Sequence, residues 1–512
     1  LHATIWYLAS TAMPSAVEDV QGEYDLSWAT SLYLMTSILG GAMLPPIKSR
    51  FGARPSMMAA CLVVVGGGIV AGLAPNVGYI LGGRAIQGIG EGFLLALSYS
   101  LVRELFDNAL VPRVAGVEAV TWAVAVFLGP LLGGWLTDLG TWRFAFLGSA
   151  ALPLPMMVLG WVILRGRRHA PMRQTAPMLR LSLLAVGVMA IAVADRLSVF
   201  GIVSVLVGIA LISLTLAVDR RARYKLFPSA FPGIRHPVSL GIWVLTLMAL
   251  SEAAVYVYGP YILQLYRGLG PTMAGYFGAI HALAWALSAM LVAPLPARWH
   301  SLSILAGPTS LALGLAGLAV TLADSPLPVI AVAMVLIGTG FGVSYAFLTQ
   351  RIMATIEDGE EDATVASMST LWGMGGAVSA AVAGLVGNGL GLDGPLRRDV
   401  IENAAIALFG GGAVVAAIGI VFAWRLVAAF AAHRTRARLA TLRKEDGARG
   451  RLDRRERRGV AAHDRGVPAQ PESQPLTLAG GDRTRPVRDA RRAVDSLARR
   501  RHRRRRHRRP HR

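Results

Sequence analysis

The sequence has a single cysteine, Cys61, among its 512 residues, and only 16% of its residues are charged. One cysteine excludes an internal disulfide and a cysteine metal cluster. The chain also lacks a phosphate-binding loop of the form G-x-x-x-x-G-K-[ST] and the hydrolase patterns HExxH and GxSxG. These absences argue against an ATP-driven pump and against an enzyme, and we expect neither a metal nor a cofactor.

Long apolar runs take the place of the missing charge. Soluble domains have about 25% charged residues and do not repeat runs of roughly 20 apolar ones. The sequence therefore predicts an all-α polytopic membrane protein, and we interpret the apolar start at Leu1 as a trimmed start rather than a signal peptide. Fourteen membrane helices are predicted, beginning near residues 1, 28, 56, 77, 112, 142, 181, 198, 238, 271, 302, 326, 362 and 401.

The net charge of +21 is concentrated at one end of the chain. Residues 431–512 hold 27 Lys and Arg against 9 Asp and Glu, whereas residues 1–430 hold 24 against 21. This Arg-rich tail cannot bury a core and is predicted to be disordered. The tail is predicted to contact anionic lipid or to have no function, and a third possibility is that it is translated out-of-frame or read-through sequence. It has no aromatic residues between its basic ones, so specific recognition of nucleic acid is not supported.

The basic residues of the loops predict the orientation of the chain. Loops after even-numbered predicted helices hold 17 Lys and Arg, and loops after odd-numbered ones hold 5. Cytoplasmic loops are enriched in these residues. We therefore expect a multi-pass protein of the plasma (inner) membrane with both termini in the cytoplasm.

An internal repeat appears at an offset of 250 residues. QGIGEG (Gln87–Gly92) lies over IGTGFG (Ile337–Gly342), and Trp122 lies over Trp372. Such an offset predicts two parallel six-helix halves with an extra helix pair between them. The predicted divisions are an N-terminal half at 1–164, basic linkers with two extra helices at 165–237, a C-terminal half at 238–430 and the tail at 431–512.

The fifth predicted helix is built to be weak. Its segment AVAVFLGPLLGGWL contains a proline, which costs about 3 kcal/mol inside a helix, and glycines, which cost about 1 kcal/mol each. Small residues every four positions let two membrane helices approach closely. The segment is either a seam along which helices move or a static packing helix with a kink. The predicted conformational seam consists of Gly129, Pro130, Gly133 and Gly134.

Several motifs, in order along the chain, resemble those of the major facilitator superfamily. GPLLGG resembles its antiporter signature, motif C, and RAIQGIGEG resembles its helix-4 motif R-x-x-Q-G-x-G. AMP (Ala12–Pro14), TWRFAF (Thr141–Phe146) and YILQLYRGLGPTMAG (Tyr261–Gly275) are similar to further motifs of that family. With fourteen helices, residues 1–430 resemble its fourteen-helix drug:proton antiporters. The resemblance implies the major facilitator fold and proton-driven export of amphipathic or cationic compounds by alternating access, as in multidrug efflux.

Two departures from the family pattern affect this interpretation. The loop between helices 2 and 3 usually has the form G-x-L-A-D-R-x-G-R-R, but here Pro45 replaces the glycine and Ser49 replaces the aspartate. The resemblance gives that aspartate a role in latching the two halves on the cytoplasmic side, and whether this loop still gates without it stays open. The helix-1 acid of the family falls on Ile5, so helix 1 is not expected to carry the proton. The gating-loop residues that remain are Arg50, Gly52 and Arg54.

Ionisable residues in the first half are candidates for proton coupling. An ionisable group at mid-bilayer costs about 2.5–3.5 kcal/mol and therefore needs a partner, a hydrated cavity or a function. Arg84, Gln87 and Glu91 share one helix face, and Arg84 matches the family arginine to which a coupling role is given. Glu118 lies on the face of the fifth helix that contains the seam, or is simply an interfacial carboxylate. The repeat places no ionisable residue at the equivalent positions of the second half. Proton coupling is assigned to Arg84, Glu91 and Glu118.

A second group of residues is typical of a site for an organic cation. Glu252 shares a face with Tyr256, and His281 shares a face with Trp285. A carboxylate with aromatic rings suits charge pairing and cation–π contact, although interhelical hydrogen bonding is an equal alternative. The predicted substrate cavity consists of Gln87, Trp122, Glu252, Tyr256, His281 and Trp285.

The function predicted from these residues is efflux of small organic compounds in exchange for protons, across the lipid bilayer. The expected partners are a small-molecule substrate, protons and lipid. Two alternatives remain. One is proton-linked uptake of a metabolite, and the other is a receptor or scaffold that has kept the fold and lost coupling.

Overall fold

The computed structural model describes residues 1–106, 110–164, 177–194, 199–222, 225–356 and 360–431. The described residues form helices and contain no strand. The helices are α1 His2–Asp19, α2 Leu26–Ala42, α3 Leu44–Phe51, α4 Ala53–Gly72, α5 Val77–Leu105, α6 Val111–Asp138, α7 Trp142–Ala151, α8 Pro153–Ile163, α9 Met178–Ala192, α10 Val199–Arg221, α11 Pro237–Tyr261, α12 Pro271–Val292, α13 His300–Thr321, α14 Leu327–Met353, α15 Glu361–Gly389 and α16 Arg398–Ala405. Short turns of other helix types cover Glu23–Asp25, Ile262–Tyr266 and Ile406–Gly410, and helical structure then continues to Ala431.

Eleven helical segments of the described chain are long and apolar enough to cross a membrane. They coincide with eleven of the fourteen predicted membrane helices, so the all-α polytopic architecture is confirmed. α1, α2 and α9 coincide with the other three, but they are too short or too polar to meet the same criterion of length and apolarity. The number fourteen therefore stays a prediction.

The packing of the helices follows the 250-residue repeat. α5 and α14 begin 250 residues apart, as do α6 and α15. α5 packs against α2 and α4, and in the same way α14 packs against α12 and α13. α1 pairs with α6, as α11 pairs with α15. Most contacts between the N-terminal and C-terminal sets of helices are made by α6 with α12 and by α2 with α15, and α1 also contacts α11 and α12.

The repeated glycines explain how α5 and α14 lie so close to their neighbours. A Cβ atom on Gly92 would overlap the carbonyl oxygen of Ser37 on α2, and one on Gly342 would overlap the carbonyl oxygen of Trp285 on α12. Only glycine leaves room for backbone contact at this distance. The same sequence motif therefore brings one helix pair together in each half.

The two helices that the sequence predicts between the halves, α9 and α10, pack together on one side of this bundle. α9 packs against both α2 and α15, and α10 packs mainly on α9. Arg180 at the start of α9 forms an ion pair with buried Asp219 on α10. Asp219 also accepts hydrogen bonds from the backbone N–H groups of Leu226, at 2.8 Å, and Phe227, at 3.1 Å. The predicted linker at 165–176 and the tail from residue 432 lie outside the described residues.

Burial separates the central helices from the peripheral ones. In the most apolar window of each, 89% of α11 with its following turn is buried inside the protein, against 17% of α10. The exposed surface of α10 is apolar, as lipid contact requires. α11 is therefore a central helix, and it carries Glu252 and Tyr256.

Candidate functional site: two buried clusters of polar side chains

Glu91 is buried where three helices meet. The side chain on α5 is 1% exposed, and its Oε2 accepts a hydrogen bond from the hydroxyl group of Tyr33 on α2. Nδ1 of His2 on α1 lies 3.0 Å from the same oxygen and 2.9 Å from the Tyr33 hydroxyl oxygen. The other carboxylate oxygen, Oε1, has no hydrogen-bond partner among the described residues. This free oxygen is a position at which a proton can bind.

Arg84 is buried beside this carboxylate without pairing with it. Its guanidinium carbon lies 4.0 Å from the centre of the Tyr33 ring, which is a cation–π contact. Nη1 donates a 2.8 Å hydrogen bond to Gln87 Oε1, and Gln87 Nε2 donates one of 2.9 Å to Ser149 Oγ on α7. Within the described part of the chain no carboxylate is at ion-pair distance from Arg84. The N-terminal cluster, as we name it, consists of His2, Tyr33, Arg84, Gln87 and Glu91.

A second buried carboxylate lies on α11. Glu252 is 4% exposed, and His281 on α12 is fully buried. Nε2 of His281 lies 2.8 Å from Glu252 Oε1, which is ion-pair distance, although neither atom meets the geometry of a hydrogen bond. Nδ1 of His281 lies 2.9 Å from the hydroxyl oxygen of Tyr256. These three residues, Glu252, Tyr256 and His281, are the C-terminal cluster.

Trp285 belongs to an aromatic group on the far side of His281. Its ring stacks on Phe341 of α14 with centroids 5.0 Å apart and lies 5.9 Å from the ring of Trp372 on α15. The His281 ring is 6.3 Å from Phe341. Trp285 therefore supports His281 through Phe341, without a ring contact to Tyr256.

Trp6 on α1 joins the two clusters. Its ring centre is 5.5 Å from that of Tyr33 and 5.9 Å from that of Tyr256. A small cavity lies at this junction, and Trp6, Ser10, Arg84 and Tyr256 are among its lining residues. An adjacent cavity shares Ser10 and Tyr256. Tyr256 thus connects the buried Glu252–His281 pair to internal space.

Two predicted site residues lie at the edge of this arrangement. Glu118 accepts a 3.0 Å hydrogen bond from the half-exposed Tyr99, and no bond joins it to the N-terminal cluster. Trp122 is 42% exposed and meets the His2 ring edge-on at 6.2 Å. Trp122 therefore lies beside the N-terminal cluster rather than beside Glu252, while Gln87 is a hydrogen-bond partner of Arg84.

Half of the predicted seam packs on α1. A Cβ atom on Gly129 would lie 2.5 Å from Cβ of Tyr7, and one on Gly133 would lie 2.7 Å from the carbonyl oxygen of Leu8. Real Cβ contacts are never this short, so both positions require glycine for this packing. The stripe of small residues therefore sets the position of α1, which carries Trp6.

The other half of the seam packs on α12. A Cβ atom on Gly134 would lie 2.5 Å from the backbone nitrogen of Thr272, and one on Gly275 would lie 2.9 Å from Cβ of Pro130. Helix α6 continues through Pro130 to Asp138. One helix thus contacts α1 on one side and α12 on the other, where the two halves meet.

The predicted gating loop is largely helical, because α3 occupies most of it. Gly52 ends α3 with φ of 87°, a conformation that favours glycine. Arg50 is exposed, and the guanidinium group of Arg54 lies 3.4 Å from the ring centre of Trp161. Among the described residues, no carboxylate forms an ion pair with either of these two arginines.

An ion pair between a buried lysine and an exposed glutamate occupies the place next to the missing aspartate. Lys48 is 1% exposed, forms an ion pair with Glu104 at the end of α5, and donates a 2.7 Å hydrogen bond to Ser100. Sequence reasoning missed this pair. Its members are 56 residues apart, and no pattern in the sequence relates them.

Sequence reasoning also missed three residues that complete the clusters. Tyr33, His2 and Trp6 contact the predicted residues only because α1 and α2 pack on α5 and α11. The adjacent aromatic residues of α1 are a sequence signal that could have drawn attention to Trp6. The glycines of α5 are a signal that another helix, which proves to be α2, packs closely on it. Helix 1 was not expected to contribute to proton coupling, yet it places His2 against Glu91. In the described part of the chain, no group of three His, Cys, Asp or Glu side chains is arranged to hold a metal ion.

A family match and the sequences of similar proteins point to the same family. Residues 1–380 match the Major Facilitator Superfamily. Probable multidrug-efflux transporters from two Mycobacterium tuberculosis strains are 30% identical over 453 residues, which cover 85% of this chain and 93% of each relative. These relatives are transporters, in agreement with the prediction that the chain is not an enzyme.

Solved structures show the same fold. A peptide transporter bound to sulfate has a TM-score of 0.59 at 14% identity, covering 83% of this chain and 94% of that one. The xylose transporter of E. coli, in a partially occluded inward-open conformation, has a TM-score of 0.52 at 14% identity and covers 83% and 96%. The sequence match and the fold agree, and the chain belongs to the major facilitator superfamily, as a multi-pass membrane transporter.

Proposed function

We propose that this protein exports small amphipathic or cationic organic compounds in exchange for protons, by alternating access across the plasma (inner) membrane with both termini in the cytoplasm. The observation that carries the proposal is the pair of buried carboxylates, Glu91 and Glu252, connected through Trp6 beside an internal cavity. The names of the Mycobacterium tuberculosis relatives agree with export of several drugs.

The N-terminal cluster is the proton site in this proposal. Glu91 has an unpartnered carboxylate oxygen, and Arg84 is held 4.0 Å from the Tyr33 ring instead of pairing with the acid. Tyr33 lies between them and can transmit a displacement of either group to the other. Protonation of Glu91 removes a charge from a site with little water, which changes the relative stability of two arrangements of the helices. Glu118 is a second candidate carboxylate, bonded to Tyr99.

The substrate is proposed to bind at the cavity between the clusters. Trp6 and Tyr256 provide aromatic surface, and Glu252 provides negative charge one helical turn behind Tyr256. A lipophilic cation is stabilised by both features. The seam residues Gly129, Pro130, Gly133 and Gly134 would act where α6 contacts α1 and α12, as the two halves rock. Anionic lipid is a further proposed partner of the tail.

The test is proton movement in everted membrane vesicles with an acidified interior. Addition of tetraphenylphosphonium should raise the internal pH in vesicles that contain the wild-type protein. The Glu91→Gln variant should abolish this response, whereas Glu402→Gln, which changes an exposed carboxylate on α16, should not. A folded and inserted wild-type protein that responds to no cation in a panel would reject the proposal, in favour of metabolite uptake or an uncoupled receptor.

A further inference from the structure

His281 is held between two oxygens by its two ring nitrogens. Nε2 lies 2.8 Å from Glu252 Oε1 and Nδ1 lies 2.9 Å from the Tyr256 hydroxyl oxygen. A tyrosine hydroxyl can accept a hydrogen bond from a protonated Nδ1 and donate one to a deprotonated Nδ1. The contact with Tyr256 therefore persists in both protonation states of the imidazole.

Protonation of His281 changes the charge of this cluster by one unit. With an imidazolium ring, His281 neutralises the Glu252 carboxylate; with a neutral ring, the pair carries a net negative charge. Histidine is the side chain whose ordinary titration lies between about pH 5 and 8. The charge presented to the cavity therefore depends on whether the His281 ring carries a second proton.

Few other charged groups surround the pair. Tyr7 on α1 and Tyr256 on α11 are the titratable neighbours of Glu252, and α14 contributes the uncharged ring of Phe341 beside His281. Arg84 on α5 faces Tyr256 across the cavity that both residues line. No other charged side chain of the described residues is in ion-pair or hydrogen-bond contact with Glu252 or His281.

The cavity beside the pair has the chemistry of a cation site. Tyr256 lines both internal cavities, together with Trp6 on one side and Tyr7 on the other. These aromatic residues line the enclosed space, and Tyr256 contacts His281, which lies beside the Glu252 carboxylate. A positive ligand in this space is favoured by the net negative state of the pair and disfavoured by the neutral state.

We propose that His281 is a second proton site of the transporter, at which a bound proton and a cationic substrate compete for the charge of Glu252. Binding of one cation releases one proton from the His281 imidazolium ring to water, and departure of the cation allows the proton to return. This inference rests on the proposed function, because it requires a cationic substrate. It differs from it by placing a proton in the C-terminal cluster as well as on Glu91.

The alternative is a structural pair that only joins α11 to α12. A structural pair would leave cation affinity independent of the protonation of His281. The two cases are therefore separated by the pH dependence of binding, which needs no transport.

The experiment measures tetraphenylphosphonium binding to the purified full-length protein in lipid nanodiscs, from about pH 5 to 8. For the wild type, affinity should fall about tenfold for each pH unit below the titration of His281, with release of about one proton per cation bound. His281→Gln should bind the cation with an affinity that does not vary with pH, and without proton release. The matched control is His300→Gln, which removes a histidine that stacks on Phe347 of α14, away from the cluster, and should behave as the wild type.

Proton release that is unchanged in a folded His281→Gln protein would overturn the inference and leave the proposed function standing. Failure of the folded wild type to bind any cation would overturn both. If His281→Gln does not fold, Tyr256→Phe replaces it, since the ring remains and only the hydroxyl group is lost. A hydrogen bond to the charged imidazolium ring is stronger than one to the neutral ring, so that variant should bind the cation with the midpoint of the pH profile displaced to lower pH, and an unchanged midpoint would overturn the inference.

Discussion

The N-terminal and C-terminal clusters each contain one buried carboxylate with a histidine beside it, but only the N-terminal cluster also contains an arginine. Glu91 has a permanent cation nearby, Arg84, separated from it by the Tyr33 ring. Glu252 faces His281 directly. An arginine keeps its charge at every physiological pH, whereas a histidine can lose it. The N-terminal cluster therefore keeps one positive charge at every physiological pH, whereas the positive charge of the C-terminal cluster depends on the protonation of His281.

The two clusters differ although the helices around them pack in the same way. α5 and α14 occupy equivalent positions in the repeat and use equivalent glycines to approach α2 and α12. At the position where α5 carries Glu91, α14 carries Phe341, whose ring packs on Trp285 and Trp372. The fold therefore accepts either an ionisable group or an aromatic ring at this point, and the sequence of each half selects between them.

The largest effect is expected when the carboxylate of the N-terminal cluster is neutralised. Glu91→Gln should abolish cation-dependent proton movement in vesicles, because the change between the two helix arrangements is proposed to need the Glu91 proton, while the purified protein still binds tetraphenylphosphonium because the His281–Glu252 pair is intact. The measurement pairs vesicle pH with equilibrium binding. Loss of binding together with proton movement would remove the distinction between the clusters.

Glu252→Gln should affect cation binding itself. Removing the charge of the C-terminal cluster should weaken tetraphenylphosphonium binding roughly 10- to 100-fold, if a charged contact contributes about 1.5–3 kcal/mol. Equilibrium binding in nanodiscs measures this, with Glu402→Gln as the control for an exposed carboxylate. Affinity equal to the wild type would assign Glu252 to interhelical bonding alone.

The glycines should give similar effects in both halves. Gly92→Ala on α5 and Gly342→Ala on α14 each force a methyl group against a carbonyl oxygen, so each should destabilise the protein by about 1–3 kcal/mol, the usual cost of overpacking. A Cβ atom on Gly82 of α5 would meet no atom within 4 Å, so Gly82→Ala should not destabilise the protein. Thermal unfolding in detergent measures these effects. A large loss in only one half would break the structural equivalence of the two helix pairs.

The smallest effect is expected for the residue that connects the clusters. Trp6→Leu removes ring contacts to both Tyr33 and Tyr256, and aromatic pairs contribute about 0.5–1.5 kcal/mol each. Cation affinity should fall roughly 2- to 10-fold. Trp135→Leu, at a 53% exposed position on α6, is the control and should not alter binding. An unaffected Trp6 variant would mean that the clusters act independently of this ring.

Much of the architecture could be predicted from the order of residues alone. Apolar runs of membrane length predict helices because every backbone polar group in lipid must be bonded within the segment. The repeat of QGIGEG and IGTGFG also identified equivalent helices before any packing was known. Even so, α1, α2 and α9 are too short or too polar to be recognised as spans by length and apolarity.

Some members of each cluster could be predicted from the sequence. Arg84, Gln87 and Glu91 share a face because their spacing follows the helical period, so their proximity needed no tertiary information. The same reasoning related Glu252 to Tyr256 on α11. It could not relate Glu118 to Tyr99, which lies on a different helix.

The sequence by itself determined the helical class, the repeat and which ionisable residues lie within apolar segments, because these properties depend on local composition and period. Only the tertiary structure decided that Tyr33 separates Arg84 from Glu91, that His281 reaches Glu252, and that Trp6 lies between them. Those contacts join helices far apart in the chain. They depend on interhelical distances set by glycine contacts and side-chain packing, which no local pattern specifies.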